Sequence, residues 1–316
     1  MPATKATRLV LAASLLSCAT ANAQLFRAYL AADGNDAFPC TLPAPCRLLP
    51  AALNAVANGG EIWMLDSANY NTATVTIGKS VSILAVPGVV GSVVATGGPA
   101  ISISTPGLTV ALRNLVIAPV VTMPAGTDGV FMTGASGLTI EDSVIANLPG
   151  HGVSLIGGAL KLTNTILRNN GAYAVNLAGG ATATISGAQI VGYGDGQTSN
   201  GGVAAYGLSA ATTTTATISD SVISGGAFGV RAFTNVDATA RVSVRGSTIE
   251  RAKNNALDCS TTGVGTAEIS IGSSLVVDNV RSWYQSGAGS SILSLGNNQM
   301  SGNGAPIGVK TPLAPQ

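Results

Sequence analysis

A six-residue pattern of apolar and polar positions recurs eight times along this chain. Each copy begins with an aliphatic residue and ends with an apolar one. The third residue is small or polar, and the fourth is Ser, Thr or Asn in most copies. Successive copies begin 22 to 33 residues apart, at residues 112, 140, 162, 185, 218, 244, 271 and 295. A repeat of this length, built from strand and turn residues, indicates one coil of a solenoid.

The repeat also predicts how each coil is built. Its third position, which holds Asn, Asp, Gly or Ser, is expected to turn the chain through left-handed backbone conformations. Strand residues on either side should alternate between inside and outside, and the strands should be parallel because every coil rises in the same sense. One inward stack is therefore predicted to contain Ile140, Leu162, Ile185, Ile218, Val244 and Ile271.

The segment before the repeats predicts a cap. Residues 46–57 have apolar side chains at helical spacing, and Asn58-Gly59-Gly60 is expected to end that helix. Without a cap, the first coil would expose unpaired backbone groups and an apolar cross-section. We therefore expect a cap over residues 24–60, a solenoid over 61–303 and a C-terminal tail over 304–316.

The first 23 residues predict export. Lys5 and Arg8 precede an apolar stretch over residues 9–16, and Ala21-Asn22-Ala23 is typical of a signal peptide cleaved after Ala23. A lipoprotein, with lipid on Cys18, is the alternative. No later stretch of about 18 apolar residues predicts a membrane span. The expected location is therefore the periplasm or the outside of the cell.

Export also bears on the cysteines. Cys40 and Cys46 lie six residues apart in a Pro-rich loop, which predicts a disulfide in an oxidising compartment. Cys259 shares an inward column with Leu155 and Leu177, so it is expected to be a buried free thiol.

The charge of the chain argues against a nucleic-acid partner. Only 9% of the residues are charged, and removing Lys5 and Arg8 leaves 13 basic against 14 acidic residues, a net charge of about −1. Nucleic-acid binding relies on clustered positive charge, which this composition lacks.

Several short segments near the N-terminus carry a resemblance to a known family. They are residues 33–36, 39–41, 45–47, 51–52, 59–62, 69–70, 77 and 80–83. With the repeats, these segments resemble secreted bacterial right-handed parallel β-helix proteins of the pectin-lyase-like superfamily. The resemblance covers roughly residues 26–303 and implies an all-β, single-stranded solenoid of about nine coils. That superfamily includes polysaccharide lyases, hydrolases, epimerases, adhesive proteins and members without known activity, so the fold does not fix a function.

The resemblance to enzymes of the superfamily makes Asp128 and His151 the candidate catalytic residues. Asp128 matches the first motif aspartate of polygalacturonase-like enzymes, but Gly150-His151 stands where their paired aspartates are expected. No column stacks the several acids that calcium binding in pectate-lyase-like enzymes requires. Asp128 and His151 are therefore weak catalytic candidates, with imidazole as a possible acid or base. No metal or other cofactor is expected.

An aromatic strip is the other candidate site. His151, Tyr173 and Phe228 share one region of successive coils, and Tyr193 lies in the longest insertion. Sugar rings stack on exposed aromatic faces, so these four residues are the predicted ligand-binding set. The alternative is that the rings pack beneath their own loops. Arg231 and Asp258 fall on the outward column of neighbouring coils, where an exposed ion pair contributes about 0–1 kcal/mol.

Three functions follow from these patterns. The favoured hypothesis is a secreted β-helix protein without catalytic activity, structural or polysaccharide-binding. A polysaccharide lyase or glycoside hydrolase with a reduced site near Asp128 and His151 is the second. A surface adhesin is the third. A polysaccharide is the candidate partner, and the oligomeric state is left open.

Overall fold

The chain winds into a parallel β-helix of about nine coils. The computed structural model describes residues 24–120, 126–192 and 200–312. The predicted signal peptide, Cys18 and Tyr193 lie outside these ranges. Within them, each complete coil contributes one strand to each of three sheets, and all strand pairs of the sheets are parallel. The fold class predicted from the repeats is confirmed.

The strands of the three sheets follow one another in a fixed order around each coil. Sheet 1 has twelve strands: Leu25–Leu30, Val56–Met64, Val81–Ala85, Thr109–Arg113, Gly137–Glu141, Ala159–Thr163, Thr182–Ser186, Thr213–Ser219, Thr239–Arg245, Thr266–Gly272, Ser290–Ser294 and Lys310–Pro312. Sheet 2 has ten: Ala68–Asn69, Gly91–Ala95, Leu115–Pro119, Val144–Ala146, Ile166–Arg168, Gln189–Val191, Val222–Ser224, Thr248–Glu250, Leu275–Val277 and Gln299–Ser301. Sheet 3 has nine: Val75–Thr76, Ile101–Ile103, Val130–Thr133, Val153–Ile156, Tyr173–Ala178, Gly201–Gly207, Phe228–Thr234, Asn255–Thr261 and Trp283–Ser286.

The core is a set of apolar columns inside the coils. The predicted stack from Ile140 to Ile271 is confirmed, because its six members pair in direct succession in sheet 1 and none is more than 2% exposed. Cys259 lies in this interior as a free thiol, as predicted. Burial raises the pKa of Cys259 to about 12, so the thiol is inert at neutral pH.

The turn between sheets 1 and 2 explains the repeated phrase. The residues at the third position of the phrase, in the copies from Asn114 to Ser273, have φ between +49° and +63°, as predicted. In four of these turns the next residue is a buried serine that links two coils, namely Ser143, Ser221, Ser247 or Ser274. Ser221, for example, donates from Oγ to the Ser219 carbonyl at 2.7 Å and accepts from the Ala188 backbone N–H at 3.1 Å. Such bonds satisfy backbone groups that a tight turn would leave unpaired inside the fold.

The last copy of the phrase departs from the prediction. Ser294, rather than Leu295, pairs with Ile271 in sheet 1, and Leu295 is 40% exposed. Gly296, rather than Asn297, has the positive φ of +82°. The physical reason is that this turn holds one more residue before sheet 2 than the preceding turn does. The extra residue moves the inward position back by one.

The N-terminal cap contains the predicted disulfide and a shorter helix than expected. Cys40 and Cys46 are bonded, and the helix Leu49–Ala55 lies against the first coil. The expected helix end at Asn58-Gly59-Gly60 is wrong, because these residues lie within the strand Val56–Met64. The register shifts there, from Leu25 opposite Val56 to Arg27 opposite Glu61. Gly60 suits this bulge because a Cβ would collide with the Phe26 carbonyl oxygen.

The C-terminal residues add one more strand to sheet 1. Lys310–Pro312, inside the expected tail, pairs with Ile292–Ser294 as the last strand of sheet 1. The division of the chain at residues 60 and 303 stays a prediction. In the described part of the chain, no helix is long and apolar enough to cross a membrane.

Candidate ligand-binding face

The outer surface of sheet 3 brings most of the predicted site residues together. We call it the sheet 3 face and define it by residues Asp128, His151, Tyr173, Asn176, Tyr206, Phe228, Arg231, Phe233, Asp258, Arg281 and Tyr284. Strand register sets their positions. Asn176, Ala204, Arg231, Asp258 and Tyr284 are direct neighbours in one outward column, and Tyr206 pairs with Phe233 in the next.

Asp128 and His151 are adjacent, but each side chain accepts a hydrogen bond from a backbone N–H group rather than from the other side chain. The His151 backbone N–H donates to Asp128 Oδ1 at 2.6 Å, and the Tyr173 backbone N–H donates to His151 Nδ1 at 3.1 Å. The carboxylate therefore does not orient the imidazole, as it would in an acid–base pair. Because Nδ1 accepts a hydrogen bond, we assign the proton of the neutral ring to Nε2.

The environment of His151 favours that neutral form. Burial lowers its pKa, and the charge of Asp128 only partly opposes this effect. The imidazole is therefore a hydrogen-bond donor through Nε2 at neutral pH. It presents no accepting nitrogen to an outside group.

Tyr173 and Phe228 lie on the same side as His151, as predicted, but they are buried. They are 2% and 5% exposed, so the expectation that both rings face solvent is wrong. The Tyr173 ring stacks on His151 with a centroid distance of 6.2 Å and an interplanar angle of 16°. With Ala204 and Ala227, the two rings form a small apolar cluster separate from the core.

A glycine makes room for this cluster. Gly201 stands between Tyr173 and Phe228 in the strand register. A Cβ at Gly201 would collide with the Phe228 carbonyl oxygen and lie 3.0 Å from Tyr173 Cε1. Without that side chain, the Tyr173 ring lies over the Gly201 backbone and is covered by its neighbours. Tyr193 lies outside the described residues.

Two further rings, outside the predicted ligand-binding set, are half-buried on this face. Tyr206 meets Tyr173 edge to face at 5.9 Å and 78°, and it meets Phe233 at 6.0 Å and 71°. From His151 to Phe233, four rings thus follow one another across four successive coils. The sequence contains a signal for the last two, because Tyr206 and Phe233 each stand three residues after a valine of the same column, Val203 and Val230.

Arg231 lies close to Tyr206, Phe233 and Phe228. Its guanidinium carbon is 4.7 Å from the centroid of Phe228, 5.2 Å from that of Phe233 and 5.7 Å from that of Tyr206. Nη1 donates to the Tyr173 hydroxyl at 3.3 Å. These contacts hold the guanidinium close to the sheet and away from solvent.

The partner of Arg231 is Asp258, and the pair is not the exposed one that was expected. Nε lies 3.3 Å from Asp258 Oδ1, with side chains that are 20% and 5% exposed. Nε nevertheless lacks a hydrogen bond, because its N–H is not aimed at that oxygen. The Asn255 side chain and the Ser260 hydroxyl donate to Asp258 at 2.6 and 3.2 Å. Burial raises the pKa of Asp258, and Arg231 opposes that shift.

The network continues to the next coil. Arg281 donates from Nη1 to Asn255 Oδ1 at 2.7 Å, and its guanidinium lies 6.0 Å from the Tyr284 ring. Charged, amide and aromatic groups therefore run in contact along the outer surface of several coils.

Two depressions in the surface lie elsewhere. One of 440 Å³ lies at the cap, beside Phe38 and Cys40, and one of 340 Å³ lies on sheet 1, beside Thr139 and Lys161. Neither is lined by a residue of the sheet 3 face. We give the sheet 3 face more weight, because an extended ligand needs a long shallow surface rather than a deep pocket. Among the described residues, no group of three or more His, Cys, Asp or Glu is placed to hold a metal ion.

Comparison with known proteins agrees with the architecture. The family model of the right-handed β-helix region matches residues 128–305, so the chain belongs to this family. A search of curated protein sequences finds no match.

Solved structures extend the likeness over nearly the whole chain. Pectate lyase Pel9A is 14% identical with a TM-score of 0.59, covering 93% of this chain and 79% of its own. An alginate lyase from Paenibacillus sp. str. FPU-7 is 13% identical with a TM-score of 0.59, covering 91% of this chain and all of its own (100%). These similarities establish a pectin-lyase-like β-helix fold and leave the activity open.

Proposed function

We propose that this protein is an exported, non-catalytic β-helix that binds polysaccharide along the sheet 3 face. The observation that carries the proposal is the row of His151, Tyr173, Tyr206 and Phe233, whose ring centroids lie 5.9 to 6.2 Å apart along the solenoid axis. An extended glycan lying along that axis would meet the half-buried rings of His151, Tyr206 and Phe233 on three of these four coils. Polysaccharide-acting proteins such as the two lyases share the fold.

The half-buried groups make the contacts in this proposal. Tyr206 and Phe233 stand nearly perpendicular, so a sugar would meet the face of one ring and the edge of the other. His151 Nε2–H can donate to a hydroxyl. The buried rings of Tyr173 and Phe228 support these groups from beneath, and Tyr193 stays a predicted contact.

Such a surface favours a chain over a single sugar. A ring contributes on the order of 1 kcal/mol to stacking, which gives weak binding to one sugar. Contacts repeated on several coils act together, because each further contact of the same chain is intramolecular.

The proposed location outside the cytoplasm combines two features. The Cys40–Cys46 disulfide is consistent with an extracellular or periplasmic protein. Cleavage of a signal peptide after Ala23 stays part of the proposal.

The lyase or hydrolase alternative lacks comparable support. The two side chains assigned to it, Asp128 and His151, both accept backbone hydrogen bonds from the next coil. No described contact favours the adhesin alternative.

A glycan array combined with activity screens tests the proposal. The purified protein should bind at least one polysaccharide and should release neither unsaturated uronates nor reducing ends. Tyr206→Ala and Phe233→Ala should each weaken binding about fivefold, equivalent to about 1 kcal/mol. Thr184→Ala on sheet 1 is the matched control and should bind normally.

The outcomes against the proposal are distinct. Turnover that disappears in His151→Ala or Asp128→Asn would establish the enzyme instead. Absence of binding across the array would leave a purely structural role.

A further inference from the structure

We infer that the polysaccharide is uncharged, so that the sheet 3 face takes a neutral glycan rather than a polyuronate. This inference rests on the proposed function. It separates the protein from its structural neighbours, whose names specify pectate and alginate, both polymers of uronic acids.

The first step is the charge balance of the face. Its charged side chains, among the described residues, are Asp128, Arg231, Asp258 and Arg281. Arg231 and Asp258 form a buried pair, and Arg281 lies near enough to Asp258 to lower the pKa of that carboxyl. Two cations and two anions therefore offset one another, and the face offers no net positive charge to a polyanion.

The second step concerns Arg231, the cation that lies against the half-buried rings of Tyr206 and Phe233. Recognition of a carboxylate by arginine requires an open edge of the guanidinium with two parallel N–H groups. Here Nη1 already donates to the Tyr173 hydroxyl, and Nε lies against Asp258. Three rings surround the guanidinium as well.

The third step considers what would happen if a uronate separated Arg231 from Asp258. A uronate that took Arg231 from Asp258 would leave a carboxylate with 5% exposure without its cation. An uncompensated buried charge is strongly destabilising. A uronate that left the pair intact would instead approach the charge of Asp258, which repels it.

The groups that remain suit neutral sugars. Tyr206 and Phe233 offer apolar ring surface to the C–H faces of a sugar. The His151 Nε2–H and the half-buried Asn176 amide offer hydrogen bonds to hydroxyls. Neither kind of contact requires a charge on the ligand.

Affinity electrophoresis with four polysaccharides tests the inference. The probes are arabinoxylan and xyloglucan, which are neutral, and polygalacturonate and alginate, which are acidic. The protein should be retarded by a neutral probe and not by an acidic one. Retardation should be the same at low salt and at about 1 M NaCl, where the Debye length is about 3 Å.

A matched pair of variants sharpens the test. Asp258→Asn releases the charge of Arg231 on the sheet 3 face, so it should create retardation by polygalacturonate at low salt that disappears at high salt. Glu268→Gln releases Arg241 on sheet 1 in the same way and should create none. Melting curves of both variants check that they are folded.

Each contrary outcome has its own meaning. Stronger retardation of the wild type by an acidic probe, lost in Arg231→Gln, would overturn the inference and keep the proposed function. An Asp258→Asn variant that is folded yet gains nothing would show that Arg231 does not control charge selection. Absence of retardation by all four probes would contradict the proposed function as well.

Discussion

The outer faces of sheets 1 and 3 are built on the same coils, but they present different chemistry. On sheet 1, one outward column runs through Thr139, Lys161, Thr184, Thr217 and Ser243, and all of these except the half-buried Thr139 are exposed. On sheet 3, the outward columns hold rings, an amide and charges that cover one another. The repeat therefore determines the coil and leaves each outer column free to vary.

An ion pair on each face shows the physical difference. Arg113 and Glu141 on sheet 1 lie 2.7 Å apart, with side chains 43% and 26% exposed. Arg231 and Asp258 on sheet 3 are far less exposed. Partial desolvation of a charged pair outside the core carries a cost that packing alone does not require. Perturbed titratable groups of this kind concentrate at functional sites, and this is why we place the function on sheet 3.

The largest expected effect concerns the interior on which both faces depend. Ile218→Asp would bury an unpaired charge between two coils and should lower the free energy of unfolding by several kcal/mol. Thr217→Asp, one residue away on the exposed face of sheet 1, should change it by less than about 0.5 kcal/mol. Urea unfolding of both variants measures the difference. Similar midpoints would contradict the assigned register.

The second largest effect should be a difference between the two ion pairs in their contribution to the free energy of unfolding. Asp258→Ala leaves Arg231 buried without its partner and should cost about 3 kcal/mol. Glu141→Ala on sheet 1 should cost about 0–1 kcal/mol, because solvent screens the charge of Arg113. Thermal or urea unfolding of the two alanine variants measures this contrast. Equal costs would remove the energetic distinction between the faces.

The smallest effect is a pH dependence confined to sheet 3. Because burial lowers the pKa of His151 below 6.5 in the fold, the unfolded chain binds a proton more readily. The associated stability is present above about pH 6.5 and is lost as the pH falls through the folded pKa, with a slope of at most about 1.4 kcal/mol per pH unit. His151→Gln should therefore differ from the wild type in unfolding free energy by a pH-dependent amount.

Unfolding in urea between pH 8 and pH 5 measures that amount. His151 is the one histidine of the sequence, so the wild-type curve minus the variant curve isolates it. A constant difference across this range would show that the imidazole is not held neutral by burial.

The contrast between the two faces also shows which features of the structure could be predicted from the sequence. The inward stack from Ile140 to Ile271 was predictable, because each coil repeats the same apolar position and parallel strands keep it in register. The disulfide followed from the short Pro-rich loop. The prediction that Leu295 faces inward was wrong, because one additional turn residue changes the inward position. The repeated phrase itself does not reveal that insertion.

The sheet 3 face was predictable only in part. The shared location of His151, Tyr173 and Phe228 followed from their column. The burial of Tyr173 did not, because it depends on Gly201, whose missing side chain leaves room for the ring, and on Arg231, which lies two coils away. Tyr206 and Phe233 are not in the predicted set, because the column shared by His151, Tyr173 and Phe228 lies before the column valines, whereas these two rings lie three residues after them.

The most direct test of the account compares the two faces in one binding measurement. The dissociation constant is measured by isothermal titration with arabinoxylan and with xyloglucan, for the wild type and two double variants. Tyr206→Ala with Phe233→Ala removes two rings from sheet 3 and should weaken binding by about thirtyfold, equivalent to about 2 kcal/mol. Thr184→Ala with Thr217→Ala on sheet 1 should leave the constant unchanged. Normal binding by the sheet 3 variant, or an equal loss in the sheet 1 variant, would contradict the assignment of function to the sheet 3 face.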